Sequence, residues 1–313
     1  MSEPSELSCY TANLVAYLEP EAPAAATDLA AAVRLSVRTD PAAGGMAFSH
    51  HTRVDMDGAG RGLAYRGAPE WAQTKAALEA ELARHGRALL VGNTRHLPWS
   101  PSYERFETPH WLLVRQDADG LWSVRDDFSA LFPHGEQTPY TGRFDDEGLR
   151  RLATPPAEIT AEAANRDRYA LGLPVELPPA TGYRWLVRTD VPAPGDASAE
   201  QGTWVHGVAP ALRHVAERVC ADEAALARHA DDLWTASRHQ RHRLALLPAA
   251  EDKEAAAAAE AAAAWGELPR AVRFALASAE RGRPRRGLVE KAFAAVLDAV
   301  ERLEETKVPT HDT

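Results

Sequence analysis

The chain has 313 residues, 45% hydrophobic and 26% charged, a globular composition with room for two domains. Its net charge of −10 argues against general nucleic-acid binding and against anionic membrane surfaces. Its two cysteines, Cys9 and Cys220, lie far apart and make no disulfide framework. Met1-Ser2-Glu3-Pro4 carries no basic region or long apolar run, so a cytoplasmic protein with neither signal peptide nor transmembrane helix is expected.

Ser8-Cys9 opens an expected helix that runs to Glu19. A thiol in the first turn of a helix faces N–H groups without helical partners and the positive end of the helix dipole, and both favour the thiolate. Pro20 to Ala26 ends this helix, Thr27 or Asp28 reads as the next N-cap, and a second helix is expected over Leu29–Arg38. Gly44-Gly45 returns the chain to extended structure around Met46 to Val54. The glycine-rich Asp57–Gly62 lacks both the G-x-G-x-x-G spacing and a Lys-Ser/Thr, so it reads as a loop and not a phosphate cradle. Glu70 to His85 is amphipathic and closes on Gly86, and Arg87–Gly92 follows as a buried strand.

The next run, Asn93 to Pro109, holds Trp99, Tyr103 and Phe106 among prolines, an aromatic loop placed to wall a cleft. Then Pro109–Arg115 and Leu121–Asp127 flank the polar Asp117-Ala118-Asp119-Gly120, the pattern of a β-hairpin. His110 opens its first strand and Asp126 closes its second, which brings the two together in an antiparallel pair. A carboxylate beside an imidazole fixes its tautomer, and that imidazole activates a thiol. Cys9, His110 and Asp126 therefore form the expected catalytic set, a papain-like arrangement, with Asp127 as the fallback orienter. Each alone has an ordinary reading, as a small core cysteine, a half-buried histidine and a turn aspartate; the chemistry lies in the combination. The Cys9 N–H supplies one oxyanion donor, and Asn13 and Asn93 are candidates for a second.

Residues 154–202 are proline-rich, with one expected strand at Tyr183–Arg188 and a linker over Ala193–Gln201. Beyond them, Leu212–Val219, Ala224–Leu247, Glu254–Leu268 and Leu288–Glu305 carry apolar residues at helical spacing. Cys220 there has no histidine in a catalytic pattern and reads as structural. The basic run Arg238-His239-Gln240-Arg241-His242-Arg243 reads either as a solvated helix face or as a patch in which Arg238 and Arg241 grip an acidic partner or a phosphate. Arg283, Arg285 and Arg286 are a second such patch. Neither His50-His51 nor His239-x-x-His242 has metal-site spacing, and neither a G-x-S-x-G elbow nor a dinucleotide fingerprint is present, so neither metal nor cofactor is expected.

Gly86–Thr94, the Leu97-Pro98-Trp99 segment, His110 and the Val-x-Asp ending at Asp126 resemble the butirosin-biosynthesis acyltransferase N-terminal domain family, from Cys9 to about Tyr140. The resemblance implies a papain-like fold in which Cys9 accepts an acyl group from an acyl carrier protein or coenzyme A thioester and passes it to an amine, with His110 as base and Asp126 as its orienter. The glutamine that papain-like peptidases place before the cysteine is missing from Glu3–Ser8. The resulting expectation is an α+β, papain-like catalytic domain over 1–153, the connection 154–202, and a mainly helical domain over 203–313. A cysteine hydrolase and a catalytically silent binding protein are the alternative functions.

Overall fold

The computed structural model describes residues 7–41, 45–132, 134–191 and 202–306. The expected linker at 193–201 and residues Glu3–Glu6 lie outside the described residues. In chain order the first elements are α1 (Cys9–Leu18), α2 (Ala25–Ala32), β1 (Val33–Arg38), β2 (Ala47–His51), β3 (Arg61–Ala68) and α3 (Trp71–His85). Next come β4 (Ala88–Asn93), β5 (Pro109–Gln116), β6 (Trp122–Asp126), β7 (Ala130–Phe132), β8 (Gly135–Gln137) and β9 (Tyr140–Phe144). The last are α4 (Asp146–Leu152), α5 (Ala161–Tyr169), β10 (Tyr183–Asp190), β11 (Trp204–His206), α6 (Val208–Ala221), α7 (Glu223–Leu246), α8 (Asp252–Ala279) and α9 (Arg286–Thr306). The architecture is mixed α+β, and no helix among the described residues is long and apolar enough to cross a membrane.

The chain divides into two units, residues 1–26 with 53–200 and residues 27–52 with 201–313. In the first unit a six-stranded sheet runs in the order β3-β10-β4-β5-β6-β9, each neighbouring pair antiparallel. Successive strand residues point to opposite faces. Leu89, Val91, Trp111, Leu113 and Leu186 pack with Leu14, Tyr17 and Leu18 of α1, while Leu90, Leu112, Val114, Val124 and Trp185 pack with Leu78 of α3 and Leu149 of α4. Each fully buried leucine here stabilises by roughly 1.5–3 kcal/mol. Helix α1 is capped by Ser8, whose Oγ accepts from the Thr11 N–H, and α3 stops at Gly86, whose φ of 69° suits a residue without a Cβ.

The boundaries differ from the sequence expectation in two ways. The proline-rich stretch is not merely a connection: its strand β10 lies inside the sheet between β3 and β4, with Trp185 and Leu186 buried on opposite faces. Residues 27–52 belong with the C-terminal helices, because β1 pairs with β2 on one side and β11 on the other. The helix expected over Leu29–Arg38 is split. Thr27 and Asp28 lie inside α2, and Val33, Leu35 and Val37 alternate along β1, where stiff β-branched side chains favour a strand.

In the second unit Leu35, Val37 and Phe48 pack with Leu212, Val215, Leu233, Trp265 and Phe293. Helix α8 does not stop at Leu268 as expected but passes through Pro269. A proline at 269 cannot donate to the carbonyl of Trp265 one turn earlier. That carbonyl instead accepts from the Ser237 hydroxyl of α7. Ser237→Ala is therefore expected to cost about 1–3 kcal/mol in urea denaturation, because a buried carbonyl loses its donor. Adding Pro269→Ala should recover part of this by restoring the N–H, and strictly additive effects would contradict the assignment.

Candidate active site

Helix α1, the start of β5, the end of β6 and the segment after Asn93 meet around one carboxylate. Extending the β5–β6 register from Leu113 opposite Arg125 puts Phe128 opposite His110, so Asp126 is the diagonal neighbour of His110 on the same face. His110 Nε2 lies 2.8 Å from Asp126 Oδ2. Its Nδ1 is left free of the carboxylate, and Cys9 lies close enough to raise the pKa of the ring. Cys9 is half-buried in the first turn of α1, where its backbone N–H has no helical acceptor.

Asp126 is fully buried and collects donors on both oxygens. Oδ2 accepts from His110, from Trp99 Nε1 at 2.9 Å and from Gln137 Nε2 at 2.9 Å. Oδ1 accepts from Asn13 Nδ2 at 3.0 Å and from the Phe128 N–H at 3.1 Å. Burial alone raises its pKa, but the charge of His110 and the hydrogen bonds of His110, Asn13 and Trp99 outweigh this and hold it below the ordinary carboxylate value. For His110, burial pulls the pKa down; the charges of Asp126 and Cys9 and the hydrogen bonds to both pull harder, to about 10. The imidazolium therefore persists through neutral pH.

The expected site residues separate into distinct roles. Asn13 is no oxyanion donor: its two amide hydrogens are shared among three acceptors, Cys9 O, Trp111 O and Asp126 Oδ1, and its Oδ1 accepts from the Asp127 N–H. It ties the nucleophile's helix to the carboxylate. Trp99 does not merely wall a cleft; its indole stacks on Tyr140 at 3.9 Å and aims its N–H at Asp126. Asp127 is no orienter, since its carboxylate pairs with Arg125. Asn93 Oδ1 accepts from the Arg95 N–H in a short 3-10 turn, and its Nδ2 is buried with no partner. Tyr103 is half-buried in the turn that follows, where its N–H donates to Ser100 O.

Sequence reasoning missed Gln137, which arrives from β8 in a stretch with no pattern to mark it. It also missed the buried pair of Arg184 and Asp167, 2.8 Å apart, whose carboxylate accepts from the Tyr10 hydroxyl beside Cys9. Only a strand residue as polar as Arg184 flanked by Tyr183 and Trp185 hinted at it.

Arg238 and Arg241 belong to the second unit and do not form a solvated face. Both are half-buried, Arg238 over the Trp234 ring at 4.6 Å and Arg241 near Gly266 of α8. Between them His239 is buried, and burial, then neighbouring His50, His51 and His242, holds its pKa well below the ordinary value. Arg283, Arg285 and Arg286 are exposed, and the last two line an apolar recess with Cys220, whose pKa is raised by burial and by Glu290.

No family model matches the chain, and no curated protein matches it.

Two outcomes follow from this geometry. His110 should titrate near pH 10 by imidazole NMR, and both Asp126→Asn and Cys9→Ala should lower that value by removing a negative charge. The sign for stability is that of a raised histidine: the contribution is whole below about 6.5 and lost as pH rises through about 10. A wild-type titration near 6.5 would contradict the assignment. Trp99→Phe keeps an aromatic ring against Tyr140 but deletes a donor to a buried charge. It is expected to cost about 1.5–3 kcal/mol in urea denaturation; an unchanged midpoint would show the bond to be dispensable.

Proposed function

We propose that the chain is a papain-like cysteine acyltransferase, acting in the cytoplasm in small-molecule biosynthesis. Cys9 takes an acyl group from an acyl carrier protein or coenzyme A thioester and passes it to an amine. The observation that carries this reading is a helix-N-terminal thiol near His110, whose ring bonds a carboxylate held by five donors. The resemblance of the segments from Gly86 to Asp126 to the butirosin-biosynthesis acyltransferase domain supports the same chemistry.

In the first step the Cys9 sulfur bonds to the thioester carbon of the donor and the donor's own C–S bond breaks. His110 gives its proton to the departing thiolate, while the Cys9 N–H donates to the carbonyl oxygen as it gains charge. One thioester replaces another, so the step is near thermoneutral. Acylation removes the negative charge on Cys9, one of the two that raise the pKa of His110. The imidazole is thereby turned from acid to base. In the second step the amine nitrogen bonds to the acyl carbon, the Cys9 C–S bond breaks, and His110 takes the amine's proton, which restores the starting pair. Asp126 keeps the imidazole oriented throughout, and its loss should slow turnover by up to about 10⁴-fold.

The test is intact-protein mass spectrometry after mixing with acyl coenzyme A and acyl N-acetylcysteamine thioesters. An acyl adduct on the wild-type chain and none on Cys9→Ala is the expected result. Decay of the adduct only to the free acid, whatever amine is added, would make the chain a cysteine hydrolase. No adduct from any donor would overturn acyl transfer and leave a binding protein of the same fold.

A further inference from the structure

Helix α1 presents Cys9 from its first turn, so the rotation of this helix about its own axis decides how the sulfur meets His110. The apolar packing of Leu14, Tyr17 and Leu18 holds α1 to the sheet but is non-directional. One polar tether is the Asn13 amide, which reaches Asp126 at the end of β6 and the Trp111 carbonyl on β5. Asn13 lies about 40° round the helix axis from Cys9 and Tyr10 about 100°. A single tether near the direction of Cys9 leaves the helix able to roll.

Tyr10 supplies a second tether. Its ring stands edge-on to Trp111 at 5.3 Å, and its hydroxyl donates to Asp167 Oδ1 at 2.8 Å. Asp167, from α5, is fully buried, and Arg184 Nη1 of β10 lies 2.8 Å from its other oxygen. In the sheet, β6 and β10 stand on opposite sides of the β4–β5 pair. The two tethers therefore hold α1 from opposite sides.

Burying an ion pair is costly, and an apolar pair of similar volume would serve the core as well or better. Arg184 even keeps a buried Nη2 with no hydrogen-bond partner. What the charged pair does, and an apolar pair would not, is hold a phenol hydroxyl beside the thiol. Burial, then Asp167 and Cys9, pushes that hydroxyl well above the ordinary tyrosine value, so it stays a donor. Cys9 also acts on the buried Tyr65 hydroxyl, which accepts from Trp111 Nε1 at 3.0 Å.

We propose that Tyr10, Asp167 and Arg184 are positioning residues that fix the roll of α1 and thereby the approach of the Cys9 sulfur to His110. The inference rests on Cys9 being the nucleophile of the acyl transfer above.

The test uses Tyr10→Phe, which keeps the ring against Trp111 and leaves the Asp167–Arg184 pair intact. Iodoacetamide alkylation of Cys9 at pH 7 is measured relative to Cys220 in the same sample, in chains shown to be folded by circular dichroism. Tyr10→Phe is expected to lower this ratio about tenfold, short of the roughly 10²-fold that a misplacement of about 1 Å costs. The His110 imidazole should also titrate lower by NMR as the sulfur moves away from it. The double variant Asp167→Leu, Arg184→Met removes the acceptor without stranding a buried charge and should cause the same loss. Adding Tyr10→Phe to it should cost nothing further, because members of one network do not add. A folded Tyr10→Phe chain with the wild-type alkylation ratio and the wild-type His110 titration would overturn the proposal, leaving the network to stability alone, and so would losses that add. A wild-type Cys9 that alkylates no faster than Cys220 would overturn the nucleophile reading itself, and the positioning role with it.

Discussion

A carboxylate without water must be held by donors or give up its charge. Asp126 keeps its charge because five donors from α1, β5, the Trp99 loop, the β6–β7 junction and β8 converge on its two oxygens. That requirement explains arrangements that look unrelated along the chain. Asn13 sits one helical turn after Cys9 so that one amide fastens the nucleophile's helix to Asp126 and to the β5 backbone. Trp99 needs Tyr140 beneath it so that its N–H points at Oδ2. The hairpin after Asp126 begins and ends on the same carboxylate, which brings its aromatic face to the imidazole.

The same carboxylate sets the electrostatics. With Asp126 ionised on one side of His110 and the Cys9 side chain on the other, the imidazole keeps its proton despite complete burial. On the reading proposed above, the proton leaves the imidazole only when acylation cancels one of those charges. The switch from acid to base therefore needs no movement of the protein, only a change of charge on sulfur.

Much of this was legible in residues whose pattern is local. Ser8-Cys9 followed by an apolar run marks a capped helix, Gly86 the end of α3, and the alternation on either side of Asp117–Gly120 the hairpin that brings Asp126 diagonally beside His110. What was not legible depends on partners distant in sequence. Val33 to Arg38 has enough alanine and leucine before it to extend a helix, and only pairing with β2 and β11 makes it a strand. Pro269 reads as a helix stop until Ser237, far back on α7, takes the carbonyl it leaves unpaired. Trp99 was visible as part of the site, but its role as a donor to Asp126 was not, because it depends on a stack with Tyr140. The basic run at Arg238–Arg243 read either as a solvated face or as a docking patch, because charge patterning does not reveal burial.

On the proposed reading, Cys9 reacts because it opens a helix beside the imidazole that Asp126 orients. Cys220 is the internal control, since both cysteines are free and half-buried and Cys220 has its pKa raised. The measurement is the rate of iodoacetamide alkylation at each cysteine at pH 7, by peptide mass spectrometry, in the wild-type chain and in Asp126→Asn. Cys9 should react at least about tenfold faster than Cys220 and lose most of that advantage in the variant. Equal rates at the two cysteines in the wild-type chain would contradict it.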